Sequence, residues 1–125
     1  LRANPHLGTP GTPFDRSRVR GGTPSGGGGA VPDGMCEIAI GTDTGGSCRI
    51  PGALCGIVGY KPSRQRIPTD GAFPLSYSID SIGPIARTVE ACAKADAVMA
   101  AEDFVPLEAA PLAGLRIGIA QRTPL

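Results

Sequence analysis

Glycine and proline limit where this sequence can form regular structure. The 125 residues include 19 glycines and 13 prolines. Proline removes a backbone donor and glycine loses the most conformational freedom on folding, so both disfavour helix and strand interiors. Five prolines and the run Gly26–Gly29 interrupt residues 1–35, which we therefore expect to be loop-like. With aromatic residues at 4% and no tryptophan, any core is built from aliphatic side chains and is thin.

Beyond residue 35, the apolar pattern predicts short elements of both kinds. Residues 36–42 alternate and predict a buried strand with Ile38 and Ile40 on one face. Thr88 is a favourable N-cap for a helix over residues 89–102. The other predicted elements are a short helix within 48–56 that begins at Gly52, and strands at 57–60 and 115–120. Residues 61–81 and 103–114 are predicted to be irregular connections.

Charge and composition exclude several classes of function. The net charge is +1, and the basic cluster has no interleaved aromatic residues, so we expect no nucleic-acid partner. No apolar run is long enough to span a membrane, and no signal-peptide pattern is present. The four cysteines have neither CxxC pairing nor histidine partners at ligand spacing, which predicts free thiols, no metal site and a cytoplasmic location. The basic cluster is Arg2, Arg16, Arg18 and Arg20; the cysteines are Cys36, Cys48, Cys55 and Cys92.

The segment from Gly41 to Pro51 (GTDTGGSCRIP) carries the strongest chemical signal. A strand ends there in a glycine turn, which exposes successive N–H groups beside the Ser47 hydroxyl. Such an arrangement supplies a nucleophile and an oxyanion hole together. A lone Gly-Gly-Ser is more commonly a plain turn. The single histidine, His6, lies in a proline-rich segment, so a Ser-His-Asp triad has little support.

The wider frame resembles the amidase-signature family. Residues 41–63 (GTDTGGSCRIPGALCGIVGYKPS) carry the resemblance, together with flanking positions that extend it over residues 4–120. The flanking positions include Asn4-Pro5, Gly8-Thr9-Pro10, Gly21-Gly22, Asp80 and Gly83 to Val89. The resemblance implies an α/β fold, a mixed β-sheet core flanked by α-helices. It implies that residues 1–125 form one partial, incomplete domain, with both ends of the family's domain missing.

The resemblance also implies a Ser–Ser–Lys triad and a small-molecule amide substrate. Ser47 occupies the nucleophile position, and the backbone N–H groups of Thr44, Gly45, Gly46 and Ser47 the oxyanion hole. Asp43 and Arg49 match signature positions, for which we expect a structural ion pair bracing the turn. No cofactor is implied, and a homodimer is left open.

Three departures from the family pattern bear on activity. The Gly21-Gly22 pair aligns Thr23 with the serine that relays the proton in the family. In the family, a cis peptide bond precedes that serine. Ser25 is an alternative candidate for the relay. The helix that follows has glycines where the family has alanines, which costs on the order of 3–4 kcal/mol, so we expect it to be frayed or absent. The family's catalytic lysine lies upstream, and neither Lys61 nor Lys94 matches it.

Three functions remain open at this point. The first is an amidase acting through an acyl-serine. The second is a catalytically inactive relic or truncated chain of the same ancestry. The third is an amidotransferase-type subunit that acts with a partner.

Overall fold

The computed structural model describes residue 6 and residues 8–119, which form a small antiparallel sheet with helices packed on it. The helices are α1 (Gly27–Ala30), α2 (Arg49–Leu54) and α3 (Val89–Met99). The strands are β1 (Ile38–Asp43), β2 (Val58–Gly59) and β3 (Ser81–Ala86), in the spatial order β1-β3-β2. No described helix has the length and apolar character needed to span a bilayer.

The register of the sheet places the end of β1 beside the start of β3. Asp43 pairs with Ser81, and Ile38 at the other end of β1 pairs with Ala86. Ile85 of the central strand is fully buried, together with Val31 and the thiols of Cys48 and Cys55. The core therefore lies between β3 and the segments that flank α1 and α2, immediately behind the glycine turn.

Several predicted elements are confirmed. The α/β fold class holds, and strands occur within 36–43 and 57–60. The connection predicted over residues 61–81 contains no helix or strand until Ser81, where β3 begins. The side chain of Thr88 caps α3 by accepting a hydrogen bond from the Ala91 N–H at 3.1 Å. All four cysteines are free thiols. The described strands pair only antiparallel, so the mixed sheet implied by the resemblance is not seen in this part of the chain.

One predicted helix start is wrong and one strand was missed, because the role of proline depends on its position. The helix α2 begins at Arg49, ahead of Pro51, since a first-turn residue needs no intrahelical partner for its N–H. The strand β3 was not predicted because Pro84 is unfavourable inside a strand. Its carbonyl nevertheless accepts the Tyr60 N–H at 3.0 Å, so the proline retains part of its pairing.

Three other expectations also fail. Residues 115–119 form no strand, and Ile117 and Ile119 are more than 80% exposed because no described strand pairs with them; residue 120 lies outside the described residues. The face of β1 that was predicted to be buried is not, since Ile38 and Ile40 are 37% and 62% exposed. The helix expected to be frayed or absent forms one turn, α1, within the glycine run. Val31 at the end of this turn is fully buried, and its packing stabilises the turn.

Candidate active site

The carboxylate of Asp43 organises the turn that follows β1. Its Oδ1 accepts the N–H of Gly46 at 2.7 Å, and its Oδ2 accepts those of Cys48 at 3.1 Å and Arg49 at 3.3 Å. The Arg49 guanidinium donates to both oxygens, at 3.0 and 2.9 Å. The ion pair expected from the sequence is thus present in bidentate form, and the carboxylate also fixes the start of α2.

These contacts determine the protonation states behind the turn. Burial would raise the pKa of Asp43, but the Arg49 side chain and the three backbone N–H groups outweigh it and lower that pKa to about 2. Burial, reinforced by the negative charge of Asp43, raises the pKa of the Cys48 thiol to about 12. At neutral pH the turn therefore contains a buried carboxylate next to an un-ionised thiol, and Cys48 is a poor nucleophile.

Ser47 lies on the outer side of this turn. It is half-buried, and its hydroxyl forms no hydrogen bond with any described residue. The N–H groups of Thr44, Gly45 and Ser47 likewise donate to no described acceptor. The N–H of Gly46 does not fit the expected oxyanion hole, because Asp43 already accepts its hydrogen bond. Three of the four expected donors are therefore unengaged.

The segment carrying Thr23 packs directly against the serine. A Cβ built on Gly22 would lie 2.9 Å from the Ser47 carbonyl oxygen and 3.4 Å from its Cα, and Gly22 has a φ of +61°. Only glycine allows both this approach and this backbone conformation. Thr23 is exposed, and its hydroxyl has no described hydrogen-bond partner.

The peptide geometry at Thr23 differs from the family expectation. Among the described residues the cis bond joins Thr23 to Pro24, so it follows the relay position and does not precede it. The Pro24 ring lies against Gly41 of β1, where an added Cβ would meet its Cδ at 2.6 Å and the Cys48 Sγ at 3.0 Å. This packing attaches the Thr23 segment to the strand that carries the nucleophile turn.

The remaining candidate residues have partners elsewhere. The Nζ of Lys61 donates to the Pro62 carbonyl at 3.0 Å, and that of Lys94 pairs with Glu90 at 2.7 Å. The Ser25 carbonyl accepts a long hydrogen bond from Arg20 at 3.4 Å. The described residues contain no group of three or more histidine, cysteine or acidic side chains placed to hold a metal ion.

Sequence reasoning gave Asp80 no role, yet it is hydrogen-bonded to the turn. The Thr44 hydroxyl donates to its Oδ1, and the N–H groups of Leu75 and Ser76 donate to its Oδ2 at 2.7 and 2.8 Å. These three donors, that of Thr44 foremost, lower the pKa of Asp80. No local pattern identifies such a residue, because its partner lies 36 positions away in the sequence.

Comparison with known proteins gives a consistent result. A family model described as Amidase matches residues 2–120. The AtzE subunit of 1-carboxybiuret hydrolase from a Pseudomonas strain is 37% identical, over 93% of this chain and 28% of its own length. A glutamyl-tRNA(Gln) amidotransferase subunit from Ralstonia nicotianae is 40% identical, over 94% of this chain and 29% of its own length.

Solved structures show the same relationship. A crystal structure of an amidase superposes with a TM-score of 0.80 and 42% identity, over 86% of this chain and 25% of that one. The chain thus spans between a quarter and three tenths of the length of these relatives.

Proposed function

The chain belongs to the amidase family, also called the amidase-signature family, and on that premise we propose that it hydrolyses the C–N bond of a carboxylic amide through an acyl-Ser47 intermediate. The observation that carries the proposal is the Asp43 turn. One carboxylate binds the backbone N–H groups of Gly46, Cys48 and Arg49 and the Arg49 side chain. It leaves the Ser47 hydroxyl and the N–H groups of Thr44, Gly45 and Ser47 unengaged.

In the proposed reaction, the Ser47 Oγ attacks the amide carbonyl carbon and the carbonyl oxygen becomes an oxyanion. The N–H groups of Thr44, Gly45 and Ser47 are the proposed donors to that oxyanion. Donors fixed before the reaction stabilise developing charge without reorganisation, and removing one such donor costs roughly a hundredfold to a thousandfold in rate in other acyl-transfer enzymes. The fixed geometry of Asp43 supports this role by holding the turn in place.

Thr23 is the proposed proton relay. Its hydroxyl accepts the Ser47 proton and passes its own to a base, then returns a proton to the departing nitrogen, so the amine leaves neutral. Water then attacks the acyl-Ser47 ester along the same path in reverse and releases the carboxylic acid. The close approach of Gly22 to the Ser47 backbone supports this role, because Gly22 is the residue directly before Thr23.

The base is the lysine that the family resemblance places upstream of these residues. Lys61 and Lys94 are not candidates, because each is bonded elsewhere. The proposal needs no metal or organic cofactor, because acyl transfer by a serine is complete with a base and an oxyanion hole. A cytoplasmic location is part of the proposal, and the free thiols support it.

A second candidate is an amide-hydrolysing subunit that acts with a partner protein. The names of two relatives describe them as subunits, one of a hydrolase and one of an amidotransferase. The uncovered face of β1, with Ile38 and Ile40 exposed, is consistent with further protein packing there. Size-exclusion chromatography with light scattering of the purified chain tests a homodimer. Co-purification of a second polypeptide at one-to-one stoichiometry would favour the partner-dependent hypothesis.

The test of the proposed function is ammonia release from a panel of primary amides. It uses the chain and a version extended into whatever its gene encodes ahead of Leu1, with Ser47→Ala as the blank. We expect release by the extended version only, its loss in Thr23→Ala, and its retention or increase in Thr23→Ser, which keeps the hydroxyl. Release that persists in Ser47→Ala would refute the mechanism. No release by a folded extended version would favour the inactive relic.

A further inference from the structure

The side chain of Arg20 is buried next to the relay segment, which is residues 21–24. It is 8% exposed. Its guanidinium donates to the carbonyls of Gly11 and Ser25, the latter at 3.4 Å, and to the Asp33 Oδ2 at 3.4 Å. A buried guanidinium is costly unless it has such partners. Three separate parts of the chain therefore fix the position of this side chain.

The guanidinium lies against α1, where Gly29 leaves room for it. A Cβ built on Gly29 would lie 1.3 Å from the Arg20 Nη1 and 1.8 Å from its Cζ, so a methyl group and the guanidinium cannot share this space. A Cβ built on Gly26, just before the same helical turn, would have nothing within 4 Å. Glycine weakens a helix, but at position 29 it also provides the space in which the guanidinium is buried.

Arg20 holds the relay segment at both ends. Its carbonyl accepts the thiol of Cys55 at 3.9 Å, and this cysteine is fully buried, so the start of the segment is attached to the core. Its guanidinium bonds the carbonyl of Ser25, directly after the segment. The two glycines of the segment have φ values of +71° and +61°. Because a glycine backbone rearranges easily, the conformation of the segment depends on how its ends are held.

We propose that Arg20 is a positioning residue for the proton relay, and that Gly29 provides the space it needs. By fixing both ends of the relay segment, Arg20 keeps Gly22 against the Ser47 backbone and holds Thr23 in the conformation from which its hydroxyl transfers the proton. None of the described hydrogen bonds of Arg20 goes to Ser47, so Arg20 acts through the segment. This inference rests on the proposed function, because it assigns Arg20 to the relay step.

An amide and an ester of the same acid separate a role in the relay from a general loss of structure. The departing nitrogen of the amide needs the proton that Thr23 returns, whereas 4-nitrophenolate leaves as a stable anion without one. A loss of folded protein lowers both rates by the same factor. In the extended protein, Arg20→Ala should therefore lower the amide-to-ester ratio of kcat/KM roughly ten- to a hundredfold. The substrates are the best amide of the panel and the 4-nitrophenyl ester of the same acid.

Gly29→Ala is the second variant, because it retains Arg20 and fills the space that the guanidinium occupies. It should lower the amide-to-ester ratio as much as Arg20→Ala does. In the double variant the ratio should fall no further, because the guanidinium is already absent. The Tm should change in opposite directions: Gly29→Ala should lower it in wild type and raise it in Arg20→Ala, where the helix propensity of alanine acts without a clash.

Arg18→Ala and Gly26→Ala are the matched controls. The Arg18 side chain is 80% exposed and forms one described ion pair, with Asp15, and Gly26 has open space around it. Both variants should leave the amide-to-ester ratio unchanged. A ratio that Arg20→Ala leaves unchanged, or that Arg18→Ala lowers equally, would overturn the proposal. An effect of Gly29→Ala that is the same with and without Arg20 would overturn it as well.

A measurement without turnover separates failure of this inference from failure of the proposed function. In the Ser47→Ala protein with isotope-labelled glycine, Arg20→Ala should move the amide resonances of Gly21 and Gly22 towards random-coil values, and Arg18→Ala should not. These shifts in a folded protein that hydrolyses no amide would contradict only the proposed function. Amide hydrolysis with a ratio that Arg20→Ala leaves unchanged would contradict only the positioning role.

Discussion

Neutralising Asp43 should destabilise the protein by about 2 kcal/mol at neutral pH, and the loss should disappear in acid. The pKa of this fully buried carboxyl falls from 3.8 to about 2. That shift corresponds to about 2 kcal/mol of preferential interaction with the charged form. Asn has no charge to offer Arg49 or the three N–H groups, so Asp43→Asn should lose at least this amount.

The sign of the pH dependence follows from the direction of the shift. A pKa lowered by folding contributes stability that is complete above the unfolded value of 3.8 and is lost as the pH falls through about 2. At pH 3 roughly half of the contribution remains. The difference between wild type and Asp43→Asn should therefore shrink by about half between pH 7 and pH 3.

Urea unfolding followed by far-UV circular dichroism at the two pH values measures both quantities. Asp70→Asn is the control, because Asp70 is exposed on the 61–80 connection, and it should change the free energy of unfolding negligibly at either pH. A difference for Asp43→Asn below about 0.5 kcal/mol at pH 7, or one that does not shrink at pH 3, would refute the assignment of Asp43 as the organiser of the turn.

Two further perturbations test the packing around the turn. Gly22→Ala should destabilise the protein by about 1–3 kcal/mol, because the added Cβ would lie 2.9 Å from the Ser47 carbonyl oxygen. Gly26 has open space around it and a φ of −60°, so Gly26→Ala should stabilise the protein by about 0.5–1 kcal/mol. Thermal unfolding measures both, and equal signs would contradict the assigned contact. At pH 8 a thiol reagent should modify half-exposed Cys36 well before Cys48, whose buried thiol has a pKa of about 12; comparable rates would show that the turn is open.

The features that could be predicted from the sequence are those formed between residues close together in the chain. Thr88 precedes the helix that it caps, and its hydroxyl reaches an N–H three residues on. Asp43 and Arg49 are six residues apart on one turn, so their ion pair follows once the turn is recognised. In both cases the chain between the partners is too short to allow many alternatives.

The features that could not be predicted depend on contacts between residues that lie far apart in the sequence. The strand β3 exists because β1 and β2 pair on its two sides, which outweighs the strand-breaking tendency of Pro84. Residues 115–119 have the alternation of a strand but no described partner, and so stay exposed. Asp80 joins the site through Thr44, a contact that no periodicity indicates. Pairing and long-range polar contacts decided these outcomes over local propensity.

The most direct test of acyl transfer at Ser47 is intact-mass labelling with a fluorophosphonate, which reacts with an activated serine. It uses the chain, the version extended ahead of Leu1, and Ser47→Ala in each. The account predicts a single adduct on the extended version, mapped to Ser47 by peptide mass spectrometry and lost in Thr23→Ala. An adduct on another serine, or none on an extended protein shown to be folded, would contradict it.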